Sequence, residues 1–123
     1  MLKIMLMAIA LPLSGMSAAY AQDMSKMMPM KQGMTMSEAD KAYMQAMQGM
    51  HDTMMKTEMT GDASGDFVRM MIPHHQSAIE MTDALLTQAN ADPELKRMAE
   101  KIKADQTKEI AEMKAWLQAH PQQ

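Results

Sequence analysis

Cysteine is absent from all 123 residues. No disulfide can staple this chain and no thiolate can hold a metal, so a fold of this length rests on packed secondary structure, aided by an ion or a partner subunit. Long apolar runs are missing too. Beyond residues 4–13, nothing approaches the ~20 consecutive apolar residues that a membrane-spanning helix requires. Basic charge is in deficit, with 12 Lys and Arg against 15 Asp and Glu for a net charge of −3, which argues against a nucleic-acid partner. Glu-x-x-His does not occur, which speaks against di-iron carboxylate chemistry. A Ser-His-Asp order and a phosphate-cradling Gly-rich loop are also lacking, and only four histidines are present. The chain therefore reads as a non-enzyme.

The N-terminal residues have the form of an export signal. Lys3 supplies the positive start, residues 4–13 are apolar, and Ala19-Tyr20-Ala21 offers small-x-small cleavage chemistry. The expectation is a signal peptide over 1–21, a mature start near Gln22, a periplasmic address and no membrane attachment after cleavage. Residues 22–36 follow as a short arm interrupted by Pro29 and Gly33, with too little apolar periodicity to pack a core. A helical domain is expected over 37–119, and 120–123 form a tail.

Methionine is what the chain has in excess: 21 residues, twelve of them between positions 24 and 59. Its thioether is soft, polarisable and uncharged, which suits Cu(I) or Ag(I) better than Zn(II), Mg(II) or Ca(II), while imidazole serves copper in either oxidation state, so Cu(II) stays open. Outside the cytoplasm a thioether also has an advantage over a thiolate, because it needs no deprotonation and forms no disulfide. Met24, Met27, Met28, Met30, Met34 and Met36 on the arm have spacings that let two or three sulfurs reach one ion. The competing explanation is packing, since methionine is also a flexible gap-filler in helical cores. An arm without a core gives that explanation little to act on.

Three helices are legible. Ser37 and Asp40 resemble a capping box, and the pattern runs on to Thr60 before Gly61, with Met44, Met47, His51, Met54 and Met55 on one face. A second helix starts near Ser64 or Gly65 and continues to about Gln88, with Pro73 inside it, so a kink is expected just before His74. Its apolar stripe is Phe67, Met71, His75, Ala78, Leu85 and Leu86, flanked by His74 and Met81. Asp92-Pro93-Glu94 opens the third, which should end near Ala119, with Leu95, Ala99, Ile102, Gln106, Glu109, Ile110, Met113, Trp116 and Leu117 on one face.

Short connections make neighbouring helices antiparallel, and counting outward from each turn brings His51, His74, His75, Gln106 and Glu109 to one level, near Met47, Met54, Met71 and Met113. Such a polar layer has two explanations. Gln106 and Glu109 could hydrogen-bond the histidines simply to fix register, or His and Met could bind an ion while the amide and carboxylate orient the imidazoles. The methionine surplus favours the second.

The run D-F-x-x-x-M-I-P-H-H-Q-x-A-I-x-M at 66–81, D-P-E-L at 92–95 and Q-x-x-E-I-x-x-M-x-x-W-L at 106–117 resembles the exported ferritin-like helical-bundle family catalogued as a domain of unknown function, which includes CopM-type periplasmic copper-binding proteins. The resemblance implies an all-α antiparallel bundle, binding of Cu(I) or Ag(I), and a role in metal tolerance or delivery beside a copper efflux or delivery protein. By motif position it points to Met71, His74, His75 and Met81, with Gln106, Glu109 and Met113 as neighbours. A fourth helix would have to come from the N-terminal segment or from a second subunit in a homodimer. Two other readings are weighed against a carrier: a metal-free interaction module whose Met-rich surface binds protein, and a copper-dependent redox enzyme.

Overall fold

The computed structural model describes Gly33 and residues 35–121. The expected signal peptide and the arm methionines Met24, Met27, Met28, Met30 and Met34 lie outside the described residues. Three α-helices account for the described fold: α1 (Glu38–Lys56), α2 (Ala63–Leu86) and α3 (Pro93–Ala119). All described regular structure is helical.

Each helix begins where a short polar side chain can accept the free N–H groups of its first turn. Ser37 and Asp40 form a reciprocal capping box on α1, with Asp40 taking the place usually held by Glu or Gln. Hydrogen bonds from Ser37 to the Asp40 carboxylate hold its pKa below the ordinary value. Asp62 accepts from the Gly65 amide at 2.6 Å, and Asp92 accepts from the amides of Glu94 and Leu95 while Pro93 occupies the first helical position. The third helix occupies the expected span.

The first helix is shorter than its sequence pattern suggests. It stops at Lys56, because Thr57 turns to extended backbone and the donors of the next residues are used elsewhere. The Thr60 amide and hydroxyl and the Gly61 amide all donate to the buried Asp66 carboxylate, at 2.8–2.9 Å. Continuing the helix to Thr60 would require that amide to face the carbonyl of Lys56 instead. Gly61, at φ 85°, supplies the left-handed residue that lets the connection reverse.

Residue pairs across the seams fix the topology. His75 meets Glu109 and Asp83 meets Lys103, so α2 and α3 are antiparallel; Ser77 donates to the Ala46 carbonyl across the α1–α2 seam. The middle helix carries both neighbours. Both α1 and α3 pack against α2, and no Cα of α1 comes within 8 Å of α3. The result is an open three-helix arrangement, and no fourth helix occurs among the described residues. Helix α2 runs through the buried Pro73 as one α-helix.

Small residues set the closest approaches. Ala46 and Ala99 are buried together with Val68 and Ile110, and among the described residues no large side chain is fully enclosed. Burial of Val68 and Ile110 contributes about 1.5–3 kcal/mol each. Much apolar surface stays in water, including Phe67, Leu95 and Met98.

The buried side of α1 is not the expected one. Ala46 is its buried residue and Tyr43, Met47, Met50, Met54 and Thr57 flank it, whereas His51 and Met55 are exposed. The stripe is turned by about a quarter of the helix circumference from the Met44-His51-Met55 side. Close contact through Ala46, where the Ser77 hydroxyl reaches a backbone oxygen, requires a small side chain, and methionine cannot provide that approach.

Candidate metal centre

The seam between α2 and α3 holds the chemistry. One turn of α2 places the Met71 carbonyl opposite Nδ1 of His75 at 2.9 Å, which locks the ring and aims Nε2 across the seam. There Nε2 lies 2.7 Å from Oε2 of Glu109 on α3. The His75 side chain is 11% exposed and that of Glu109 is 54% exposed, so the pair is dry at the ring and wet at the carboxylate. Both ring nitrogens face oxygen acceptors. The two bonds are satisfied together only when a proton lies on each nitrogen, or when Glu109 itself supplies the proton to Nε2.

Beside this pair is a recess of about 240 Å³ lined by Phe67, Met71, His75, Glu109, Glu112 and Met113. Phe67, Glu112 and Met113 also belong to a longer groove, bounded further along by Ala63, Ser64, Val68 and Trp116. The recess thus gathers one thioether from each helix around one imidazole. Gln106 lies one turn from Glu109 on α3, and its Oε1 is buried with no hydrogen-bond partner. Trp116, the single tryptophan, stacks on His120 with ring centroids 4.2 Å apart, and His120 Nδ1 bonds the Trp116 carbonyl at 2.8 Å. The C-terminal end of α3 is tied down by that stack.

Of the residues singled out in sequence, Met71, His75, Met113 and Glu109 come together. The others do not join them. His74 is exposed, with its ring centroid 6.0 Å from that of His75, because successive residues on an unbroken helix point about 100° apart. His51 stands at a comparable axial level but in solvent on α1. The counting from each turn located the level, and the open arrangement displaced the helix sideways. Met47 and Met54 are half-buried on α1, outside the recess. Met81 lines a different, apolar hollow with Tyr43, Leu85, Leu95, Met98 and Ile102. Met36 is half-buried ahead of α1.

Among the described residues, no group of three or more His, Asp or Glu side chains is placed to hold a metal. A donor set drawn from this recess would be one imidazole and two thioethers with carboxylates at its edge, and that chemistry is soft. Such a set would suit a soft monovalent ion in character, with Met71, Met113 and Nε2 of His75 as the donors that would hold it.

Asp66, Ser77 and Thr82 are buried polar residues that pattern reading passed over, and Asp66 is the charged one. Hydrogen bonds from the Thr60 backbone and hydroxyl and from Gly61, with Arg69 at 3.6 Å, hold its pKa below the ordinary carboxylate value. Its position four residues into α2, just beyond the Thr-Gly turn, was the available signal.

No curated protein matches the chain. The profile of the family described as a domain of unknown function, DUF305, matches residues 2–117 and so covers α1, α2, nearly all of α3 and every residue lining the recess. The chain belongs to the DUF305 family.

Proposed function

We propose that the protein is an exported carrier of Cu(I) or Ag(I), holding the ion at the α2–α3 seam through Met71, His75 and Met113 without turnover. One observation carries the reading: two thioethers and a pre-oriented imidazole line a single recess. Glu109 releases Nε2 when the ion arrives and remains beside it as a counter-charge, and Gln106 stands one turn away with an unengaged buried oxygen. The likeness of Met71-Ile72-Pro73-His74-His75 to the CopM-type motif supports the same assignment, as does the leader-like sequence before Gln22. The methionines of residues 22–36 and of α1 serve in this reading as a capture surface that hands ions to the seam, with a copper efflux or delivery protein as the donor or acceptor.

Anaerobic titration of the mature chain with Cu(I) against a competing chelator tests the proposal. Trp116, one turn from Met113, serves as an internal fluorescence reporter. Tight binding with a Trp116 signal is expected, weakened on the order of 10–100-fold by Met71→Leu or Met113→Leu. Binding unchanged in the double variant would overturn it.

A second reading draws on a separate observation. The apolar hollow of Tyr43, Met81, Leu85, Leu95, Met98 and Ile102 leaves Leu95 and Met98 about half exposed, as a protein-binding surface would. If the interaction module is the principal role, Met98→Lys abolishes partner binding while leaving Cu(I) affinity low in both proteins.

A further inference from the structure

Among the described residues, Met55 and Met59 are the two most exposed methionines, and neither lines the recess or the hollow. Met55 is 73% exposed on the last turn of α1, and Met59 is 57% exposed in the connection that follows. Their neighbours Lys56 and Glu58 are also exposed. Burial cannot account for methionine at these positions. Lysine, glutamine and glutamate have comparable helix propensity and suit water better, so neither local structure nor packing selects a thioether there. What distinguishes methionine from them is its sulfur, a soft donor that is also oxidisable whether or not Met55 helps to capture ions, and in a chain without cysteine no thiol competes for the oxidant.

We propose that Met55 and Met59 are a sacrificial oxidation site, which takes oxygen from two-electron donors such as hydrogen peroxide or hypochlorous acid before the sulfurs of Met71 and Met113 are reached. The thioether sulfur attacks the terminal oxygen and an S–O bond forms. The O–O bond of the peroxide breaks and water leaves, or the O–Cl bond breaks and chloride and a proton leave. Sulfur loses the two electrons that the oxidant gains. The product sulfoxide is polar, which costs little on a side chain already in water and a good deal on a half-buried one.

The surroundings make this a tolerant position. Thr57 closes α1 through its own amide and hydroxyl, bonded to the Met54 and Thr53 carbonyls, and Asp66 anchors Thr60 and Gly61. Neither anchor uses the side chain of Met55 or Met59. Oxygen can be added at both sulfurs without disturbing the connection. Met71 and Met113, in contrast, are half-buried at the α2–α3 seam, where a sulfoxide would disrupt packing and remove a soft donor.

The inference does not depend on metal binding, and its test uses metal-free protein. The full mature chain is treated with limiting hydrogen peroxide, and each methionine is followed by peptide mass spectrometry alongside far-UV circular dichroism and thermal melting. Met55 and Met59 should gain oxygen at least about fivefold faster than Met71 and Met113. The melting midpoint should hold while only those two are oxidised. In M55L/M59L, the same dose should convert a larger fraction of Met71 and Met113 to sulfoxide. Equal rates at outer and seam methionines, an early fall in melting midpoint, or unchanged seam oxidation in the double variant would each overturn the proposal.

Discussion

Helix α1 carries five methionines and contributes none to the recess, whereas the seam between α2 and α3 is built with one sulfur from each side. The difference lies in what each surface packs against. Helix α1 meets α2 through Ala46 and a serine hydroxyl, so its larger side chains are pushed to the flanks and into water. On α3 the buried residues are Ala99 and Ile110, and Met71, His75 and Met113 stand around the recess between α2 and α3. Abundance of a ligand type along one helix is therefore a poor guide to where an ion would be held. Convergence from two helices is the better one.

The contrast between the two seams can be tested directly. The largest effect on the fold is expected from Ile110→Ala, which opens a gap at the α2–α3 seam and should cost about 2–4 kcal/mol in chemical denaturation. Retention of full stability would mean that this seam does not hold the domain together. Next comes selectivity of ligand loss. Replacing Met44, Met47, Met54 and Met55 with leucine should leave the tightest Cu(I) affinity within a factor of about three, while Met71→Leu weakens it by at least about tenfold. The reverse ranking in a chelator competition would move the centre to α1.

A smaller effect belongs to the connection between the seams. The folded-state pKa of Asp66 is depressed, so its carboxylate contributes stability that is present above the unfolded value of about 4 and is lost as pH falls through the folded value. The melting midpoint should therefore decline on acidification below about pH 4, and Asp66→Asn should melt lower at neutral pH and show a shallower acid dependence. Identical pH profiles for the two proteins would remove Asp66 from that role. The smallest change expected is Ser77→Ala, which removes the hydroxyl bond to Ala46 and should cost about 1 kcal/mol by the same denaturation assay.

The fold was largely legible because its signals are local. Ser37 with Asp40, and Asp92 with Glu94 and Leu95, mark starts through hydrogen bonds that span three residues or fewer, and the antiparallel register followed from the short turns between the helices. The site was legible only in part. His75 with Glu109 emerged from counting along two helices that touch, while His51 failed because level along an axis does not specify separation across it. The azimuth of α1 was misread for a related reason. Hydrophobic periodicity scores methionine as buried, but the seam selects the smallest side chain that lets backbones approach, and Ala46 carries little weight on such a wheel. The early end of α1 depended on Asp66, whose bonds reach back five and six residues and lie outside any capping pattern.

Backbone packing of α1 and of α3 runs through the central helix, while side chains of the two outer helices share the walls of the apolar hollow, Tyr43 from one and Leu95 from the other. Perturbations at the outer faces of those two helices, away from the shared hollow, should sum to within about 0.3–0.5 kcal/mol. Local opening of α1 would break its seam with α2, the Ser77–Ala46 bond included, while removing no residue from the wall of the recess.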